Sequence, residues 1–280
     1  MSTAGNILIG ISKKLKKTFS NPYEKIGLSW LQVRKLKNTP EGIDSSSPFL
    51  GYNMHFRNRE EFLHGVDELF FKEIYKTNFA VPAPYIIDCG AHIGLSVVYF
   101  KTQYPQSAVV AFEPDASNFE LLKKNVASMQ LSNVDLRQEA VWIEDKTLQF
   151  SSEGSMSSRI GEPAHKAKTI DVKAIRLYDM LAKKVDLLKI DIEGAEYPVM
   201  KDIEPRLENV DRLFLEYHGR FEENNKLQEL LEMLTRNGFY YTLNEASMVY
   251  PTPFDIRHKA PLFDVQLNIY CFKKHLLQVG

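Results

Sequence analysis

The residues best suited to chemistry lie in four short stretches of the chain. Asp88-Cys89-Gly90-Ala91-His92-Ile93-Gly94 continues an apolar run, YIIDCG. Two glycines at this spacing permit a tight turn and let a ligand approach the backbone closely. Glu113-Pro114 ends the next apolar run, AVVAFEP. An acidic residue about twenty positions beyond a glycine turn suits a two-oxygen grip on a ribose diol. Together they describe a site for an adenosine-containing ligand. A dinucleotide site wants G-x-G-x-x-G, because its backbone must meet a pyrophosphate. Here His92 holds the third position of the turn, so a ligand without a pyrophosphate fits better. S-adenosyl-L-methionine, with its adenine, ribose, sulfonium and amino-acid tail, is such a ligand.

The other two stretches are Lys189-Ile190-Asp191-Ile192-Glu193-Gly194-Ala195-Glu196 and Glu216-Tyr217-His218. Read as strand ends, alternate residues share a face. Asp191 then points with Glu193, and Glu216 with His218, so the four groups can converge. Such a cluster can take a proton from an acceptor hydroxyl as a new bond to oxygen forms. His218 is the first candidate base, because an unperturbed imidazole titrates near physiological pH. Asp191 or Glu193 can serve instead, or can orient the acceptor. The same residues, Glu216 included, are hard ligands suited to Mg²⁺ or Mn²⁺. No dedicated metal spacing is present, so no metal is expected. Simpler roles suit their neighbours. Glu196 suits a helix first turn, Lys189 an ion pair with a nearby carboxylate, Gly194 the turn that starts a helix, and His92 a hydrogen bond within its own turn.

Short apolar runs alternating with helical segments must position these groups. Strands are expected at Tyr85–Asp88, Ala108–Glu113, within Asn133–Val141, at Val185–Asp191 and at Asp211–Tyr217. Helices are expected over Leu95–Gln103, Ser117–Met129, from Ala195, and over Asn225–Arg236. This pattern predicts a parallel sheet covered on both faces, with ligands beyond the carboxyl ends of its strands. Phe239–Leu243 and Val265–Phe272 have no clear helix between them and suit an antiparallel pair. Upstream, Phe49–Arg57 suits a strand and Arg59–Tyr75 a helix. Tyr52, His55 and Glu68–Tyr75 can fold over the site as a lid, or Leu69, Phe70, Phe71 and Ile74 can simply dock that helix. Residues 1–48 read as a partly helical N-terminal extension, with a Lys-rich helix through Phe19, and 49–280 as the catalytic domain. An insertion, 142–184, carries a strand pair around SSEGSMSSRIGEP. Ser155, Ser157, Ser158 and Arg159 there, and Arg257 and His258 later, are candidates to meet an acceptor.

IIDCGAHIG, AFEPDASNFELLKKNV, LLKIDIEGAEYPVM and FLEYH resemble the FkbM family of methyltransferases, within the class I S-adenosylmethionine-dependent superfamily. The resemblance runs over about residues 49–243 and is strongest over 85–141 and 185–218. It implies an α/β, Rossmann-like fold with a seven-stranded, mostly parallel sheet, helices on both faces and one antiparallel strand. It implies methyl transfer to oxygen, on a saccharide or a glycosylated or secondary metabolite. Carried onto this chain, Asp88, Gly90, Ala91, His92 and Gly94 line the methionine end of the cofactor. Glu113 holds the ribose hydroxyls, with Pro114 and Asp115 at the adenine edge. Glu139, Ala140 and Val141 flank the adenine face, and Asp191 lies near the cofactor amino group or the acceptor. KIDIEG also stands where amino-group methylation would show an N-P-P-Y type signature.

Composition limits the rivals. The chain has 280 residues, 44% hydrophobic and 25% charged, as expected of a globular protein with a sizeable core. Its net charge of −1 offers no broad basic surface for nucleic acid. No apolar run approaches the roughly 20 residues of a membrane span. Cys89 and Cys271, both inside apolar runs, read as reduced thiols of a cytoplasmic protein. A nicotinamide-dependent oxidoreductase, a methyltransferase acting on RNA or protein, and a binding module without turnover are the alternatives on the residues alone.

Overall fold

A computed structural model of the chain describes residues 21–151, 159–160, 169–252, 254 and 262–277. Its centre is a seven-stranded sheet built from β3 (Tyr85–Cys89), β4 (Ala108–Phe112), β5 (Val134–Arg137), β10 (Leu187–Ile190), β11 (Arg212–Gly219), β12 (Phe239–Glu245) and β13 (Val265–Lys273). The order across the sheet is β12-β13-β11-β10-β3-β4-β5. β13 runs antiparallel to both its neighbours, while β3, β4, β5, β10 and β11 pair in parallel. The fold is therefore the expected α/β, Rossmann-like class with one reversed strand. Strand order reverses beside β3: β4 extends the sheet one way and β10 the other. A ligand crevice is expected at the carboxyl ends there.

Both faces are covered, which is why the central strands are mainly apolar, with Asp88 of β3 and Lys189 of β10 paired between them. On one face α3 (Leu95–Gln103) and α4 (Ala116–Ser128) pack with the hairpin of β1 (Ser45–Phe49) and β2 (Tyr52–Phe56). α1 (Trp30–Lys37) adds Val33 and Leu36 to the same core, and Ile26 and Leu28 join them. α3 is buried from Leu95 to Lys101, sandwiched between the sheet and these N-terminal elements. On the other face α5 (Glu196–Ile203) and α6 (Asn224–Arg236) cover β10 and β11. Cys89 and Cys271 lie buried and unpaired in that second core, and burial pushes both thiols up. No described helix is long and apolar enough to cross a membrane.

Three elements differ from the sequence expectation. The helix from Arg59 stops as α2 at Val66 and widens into a π-turn over Asp67–Phe71. That turn sets Phe70 edge-on to Phe49 and Tyr99, and Phe71 edge-on to Tyr23. The third apolar run is two strands. β5 ends at Arg137 on the edge of the main sheet, and β6 (Ala140–Trp142) joins a second sheet with β7 (Lys146–Ser151), β8 (Arg159–Ile160) and β9 (Thr169–Arg176). β7 and β9 form the antiparallel pair expected, and β6 lies parallel to β9. The fourth strand ends at Ile190, so Asp191 and Glu193 sit in the turn beyond it.

Candidate active site

The cleft opens at the carboxyl ends of β3, β4 and β10. Its floor is the turn after β3. Gly90 and Gly94 both have φ of +91°, in the left-handed region where glycine is favoured. At Gly90 the space matters as much: a Cβ there would stand 1.9 Å from the carbonyl oxygen of Asp191. The β3 and β10 turns therefore touch backbone to backbone, and only hydrogen fits between them.

Beneath that contact lies a buried cation. Lys189 is opposite Asp88 in the β10–β3 register. Its Nζ donates to the carbonyl of Gly90 at 2.7 Å and pairs with Asp88 at 3.1 Å and Asp191 at 3.3 Å. Ser96 donates its hydroxyl to the other Asp88 oxygen. Burial opposes the Lys189 charge, but Asp88 and Asp191 outweigh it and hold the ammonium well above its ordinary pKa. Asp88 is wholly buried and does not reach the cleft; it is the counter-ion that fastens the floor. The ion-pair expectation for Lys189 fits this geometry, with two carboxylates rather than one.

Glu113 stands at the end of β4 on the rim of the same cleft. Its Oε2 accepts from the His92 N–H at 2.8 Å and its Oε1 from the Asp115 N–H at 2.9 Å. The two bonds fix the plane of the carboxylate and leave each oxygen capacity for another donor. Burial pushes its pKa up to about 6, against the pull of His92 and those two N–H groups. His92 has φ of +50°, and its Nε2 faces Glu61 of α2 at 3.4 Å. Asp115 caps α4, its Oδ1 accepting from the N–H groups of Ser117 and Asn118. Pro114, Glu139, Ala140 and Val141 continue this wall. Gly94 lies behind it, under Leu122 of α4.

The opposite wall is acidic. Asp191, Glu193 and Glu216 face the cleft, with His218 behind them, its side chain 3% exposed. The four groups do converge, but strand alternation is not the reason on β10. Glu193 has φ of +54° and Gly194 φ of +97°, and this left-handed turn swings Glu193 toward His218. Glu196 organises the turn: its carboxylate accepts from the N–H groups of Ile192 and Gly194 and meets His218 Nδ1 at 3.1 Å. It is buried, which a helix first-turn role does not require. The unperturbed-imidazole reason for choosing His218 as base does not survive. Burial opposes the imidazolium, but Glu196, Glu216 and Glu193 overcome it and raise the ring well above its ordinary pKa. Burial, then repulsion from Asp191, Glu196 and Glu216, pushes Glu193 up to about 8 despite His218. Glu216 is raised by burial and Asp191 in the same way.

With the fold and site in view, comparison with known proteins decides the family. The Methyltransferase FkbM domain family matches residues 88–241, more than half of the chain. The chain belongs to the FkbM methyltransferase family. It is 30% identical to "Methyltransferase 1" of Beauveria bassiana, over 51% of this chain and 67% of that one. It is 29% identical to "Methyltransferase sdnD" of Sordaria araneosa, over 60% and 77% respectively. Among solved structures it is similar to Methyltransferase FkbM from Methylobacillus flagellatus KT, at 16% identity and a TM-score of 0.48, over 74% of this chain. It spans about half of that chain, 48%.

The methyltransferase has a third wall that strand-end motifs do not reveal. Glu61, His64, Gly65 and Glu68, on α2 and its π-turn, face the cleft. Phe62, Val66 and Leu69 on the same segment enter the core. A polar stripe at helical spacing beside an apolar one was the available signal. Glu68 and Tyr75 from the expected lid do line the cleft, whereas Tyr52 and His55 do not. The His55 backbone instead bonds Asn125 of α4, whose Nδ2 also reaches the Ile93 carbonyl. Gln266 of β13, with Ala246 and Ser247, completes the rim. The Lys-rich N-terminal helix, Ser155, Ser157, Ser158, Arg257 and His258 fall outside the described residues, and Arg159 is described only as backbone in β8.

Proposed function

We propose that this FkbM-family methyltransferase uses S-adenosyl-L-methionine to methylate a hydroxyl of a saccharide or of a glycosylated or secondary metabolite. The observation that carries the cofactor is Glu113. Its carboxylate is buried, oriented by two N–H groups, and retains a free lone pair on each oxygen beside the glycine turn. A vicinal diol matches that pair of acceptors. Gly90, Ala91 and His92 then lie along the methionine portion, and Ala140 and Val141 along the adenine. The Asp191 side is suited to the cofactor's cationic amino group. The catalytic domain in this reading takes in the described residues ahead of 49 as well, since β1 pairs with β2 and Val33 and Leu36 share the core of α3, and two unpaired buried thiols favour a reducing compartment such as the cytoplasm.

The acid wall supports transfer to oxygen. The hydroxyl oxygen attacks the methyl carbon, and the C–O bond forms as the C–S bond breaks. The electron pair of that bond stays on sulfur, leaving the neutral thioether S-adenosylhomocysteine. The hydroxyl proton passes to the carboxylate–imidazole cluster. Alignment of oxygen, carbon and sulfur supplies most of the acceleration, and the cluster removes the proton as charge develops. A wall of carboxylates favours a neutral polyol over an anionic acceptor.

Calorimetric titration with S-adenosylhomocysteine tests the cofactor. Wild-type protein is expected to bind one equivalent, and Glu113→Ala to bind at least tenfold more weakly while remaining folded. Absence of wild-type binding in a folded, ligand-free sample removes the reading, and a nicotinamide panel then tests the oxidoreductase alternative.

A further inference from the structure

The acid wall is short of positive charge. Asp191, Glu193, Glu196 and Glu216 surround a single imidazole. The nearest lysine, Lys189, is already shared between Asp88 and Asp191. Crowded carboxylates alone do not make a site; the placing of His218 is the independent feature. Its Nδ1 is held at 3.1 Å by Glu196, a carboxylate with 1% side-chain exposure that is itself tied to two N–H groups. The ring therefore cannot turn. Its Nε2 points into the cluster, where the oxygens of Glu216 and Glu193 stand at 3.6 and 3.7 Å. Those are ion-pair separations, long for a hydrogen bond, so Nε2 is held less closely than Nδ1. An imidazole anchored through one nitrogen by a buried carboxylate, with the other nitrogen facing oxygen donors, is how proteins present histidine to a metal.

We infer that Asp191, Glu193 and His218 form a binding site for one divalent cation of the Mn²⁺ kind. One ligand atom from each residue lies within 4.8 Å of the other two. Two carboxylates and one imidazole are a mixed oxygen–nitrogen set, which excludes soft thiolate-seeking ions and suits Mn²⁺. The ion takes the place of the proton that the surrounding carboxylates otherwise hold on His218 Nε2, releasing it to solvent, and three protein ligands leave coordination positions open toward the cleft. An acceptor hydroxyl in one of them becomes more acidic, as metal-bound water does. Glu216, on the same wall and outside the ligand set, is then placed to take its proton. This role rests on the methyl-transfer reading above; binding of the ion does not.

The test titrates Mn²⁺ into the full chain, reading free Mn²⁺ by electron paramagnetic resonance, with S-adenosylhomocysteine binding measured in parallel on the same samples. Wild-type protein is expected to take up one Mn²⁺. Glu193→Gln and His218→Gln should each bind it at least tenfold more weakly. Glu193 is the safer variant for folding, because its side chain is 21% exposed in a turn. Circular dichroism confirms that each variant is folded, and each should retain S-adenosylhomocysteine. No uptake by wild-type protein, or uptake unchanged in folded Glu193→Gln, overturns the site. Cofactor binding without Mn²⁺ removes the ion and leaves the cofactor reading. Mn²⁺ uptake without cofactor binding does the reverse.

Discussion

The floor and the acid wall of the cleft use the same residue types to opposite effect. On the floor, one ammonium, Lys189, serves two carboxylates and a carbonyl at 2.7 to 3.3 Å. On the wall, the contacts of His218 Nε2 to Glu193 and Glu216 are longer and the carboxylates outnumber the cations. The floor pairs its charges without a ligand, whereas the wall keeps unspent attraction for a cation or a hydroxyl donor. A paired charge cluster supports the fold, and an underpaired one supports binding.

The largest expected effect breaks the floor. Lys189→Met strands Asp88 in a dry site, and removing one partner of a buried pair costs about 3–5 kcal/mol. Glu193→Gln, on the wall, replaces a carboxyl that is largely protonated near neutral pH with a neutral amide of similar shape and should leave the stability of metal-free protein unchanged within about 0.5 kcal/mol. Urea unfolding of both variants at one pH reads the difference. Equal destabilisation would mean that the two clusters share a structural role.

Legibility follows the same division. Gly90 and Glu113 were readable because a ribose-binding acid stands at a nearly fixed distance from its glycine turn, both being strand-end positions. Asp191 and Glu193 were found through an alternation that β10 does not extend to; the left-handed Glu193–Gly194 turn does the work instead. Glu196 does open α5, as its place in the sequence suggests, but its bond to His218, 22 residues away, was not legible there. The α2 wall was hidden for a related reason. Periodicity separates the polar face of a helix from its apolar face, but not which strand end the polar face will overlie. The strand order was legible as a class, and the departure of β6 into a second sheet was not, since one apolar run covers both strands.

A middle-sized effect separates binding from stability at Glu113. Its folded pKa is raised to about 6 from 4.5. The carboxylate must be ionised to accept two ribose hydroxyls. S-adenosylhomocysteine affinity should therefore fall as pH drops through 6, approaching about tenfold per pH unit below it. Stability of the ligand-free protein moves the other way. Between 4.5 and 6 the folded state binds the proton more tightly than the unfolded state does. Stability is thus lost as pH rises across that window, by about 2 kcal/mol at most. Glu113→Gln should flatten both profiles. Calorimetry and thermal unfolding over pH 4.5–8 check them, and a pH-independent affinity would remove Glu113 as the diol anchor.

The smallest effect lies where the α2 wall meets the floor. Burial opposes the charged His92 ring, but its hydrogen bond to Glu61 and the charges of Glu113, Glu61 and Asp191 raise its pKa above 6.5. A folded-state histidine pKa above the unfolded value contributes stability that is complete below the unfolded pKa. That contribution disappears as pH rises through the folded one. Glu61→Gln should therefore lower stability by about 0.5 kcal/mol at pH 6, as for other partly exposed ion pairs, and by less at pH 8.5. Thermal unfolding of both proteins at the two pH values reads this small difference. A loss as large at pH 8.5 would mean that α2 is held to the His92 turn by packing, and that its polar stripe is there for the ligand alone.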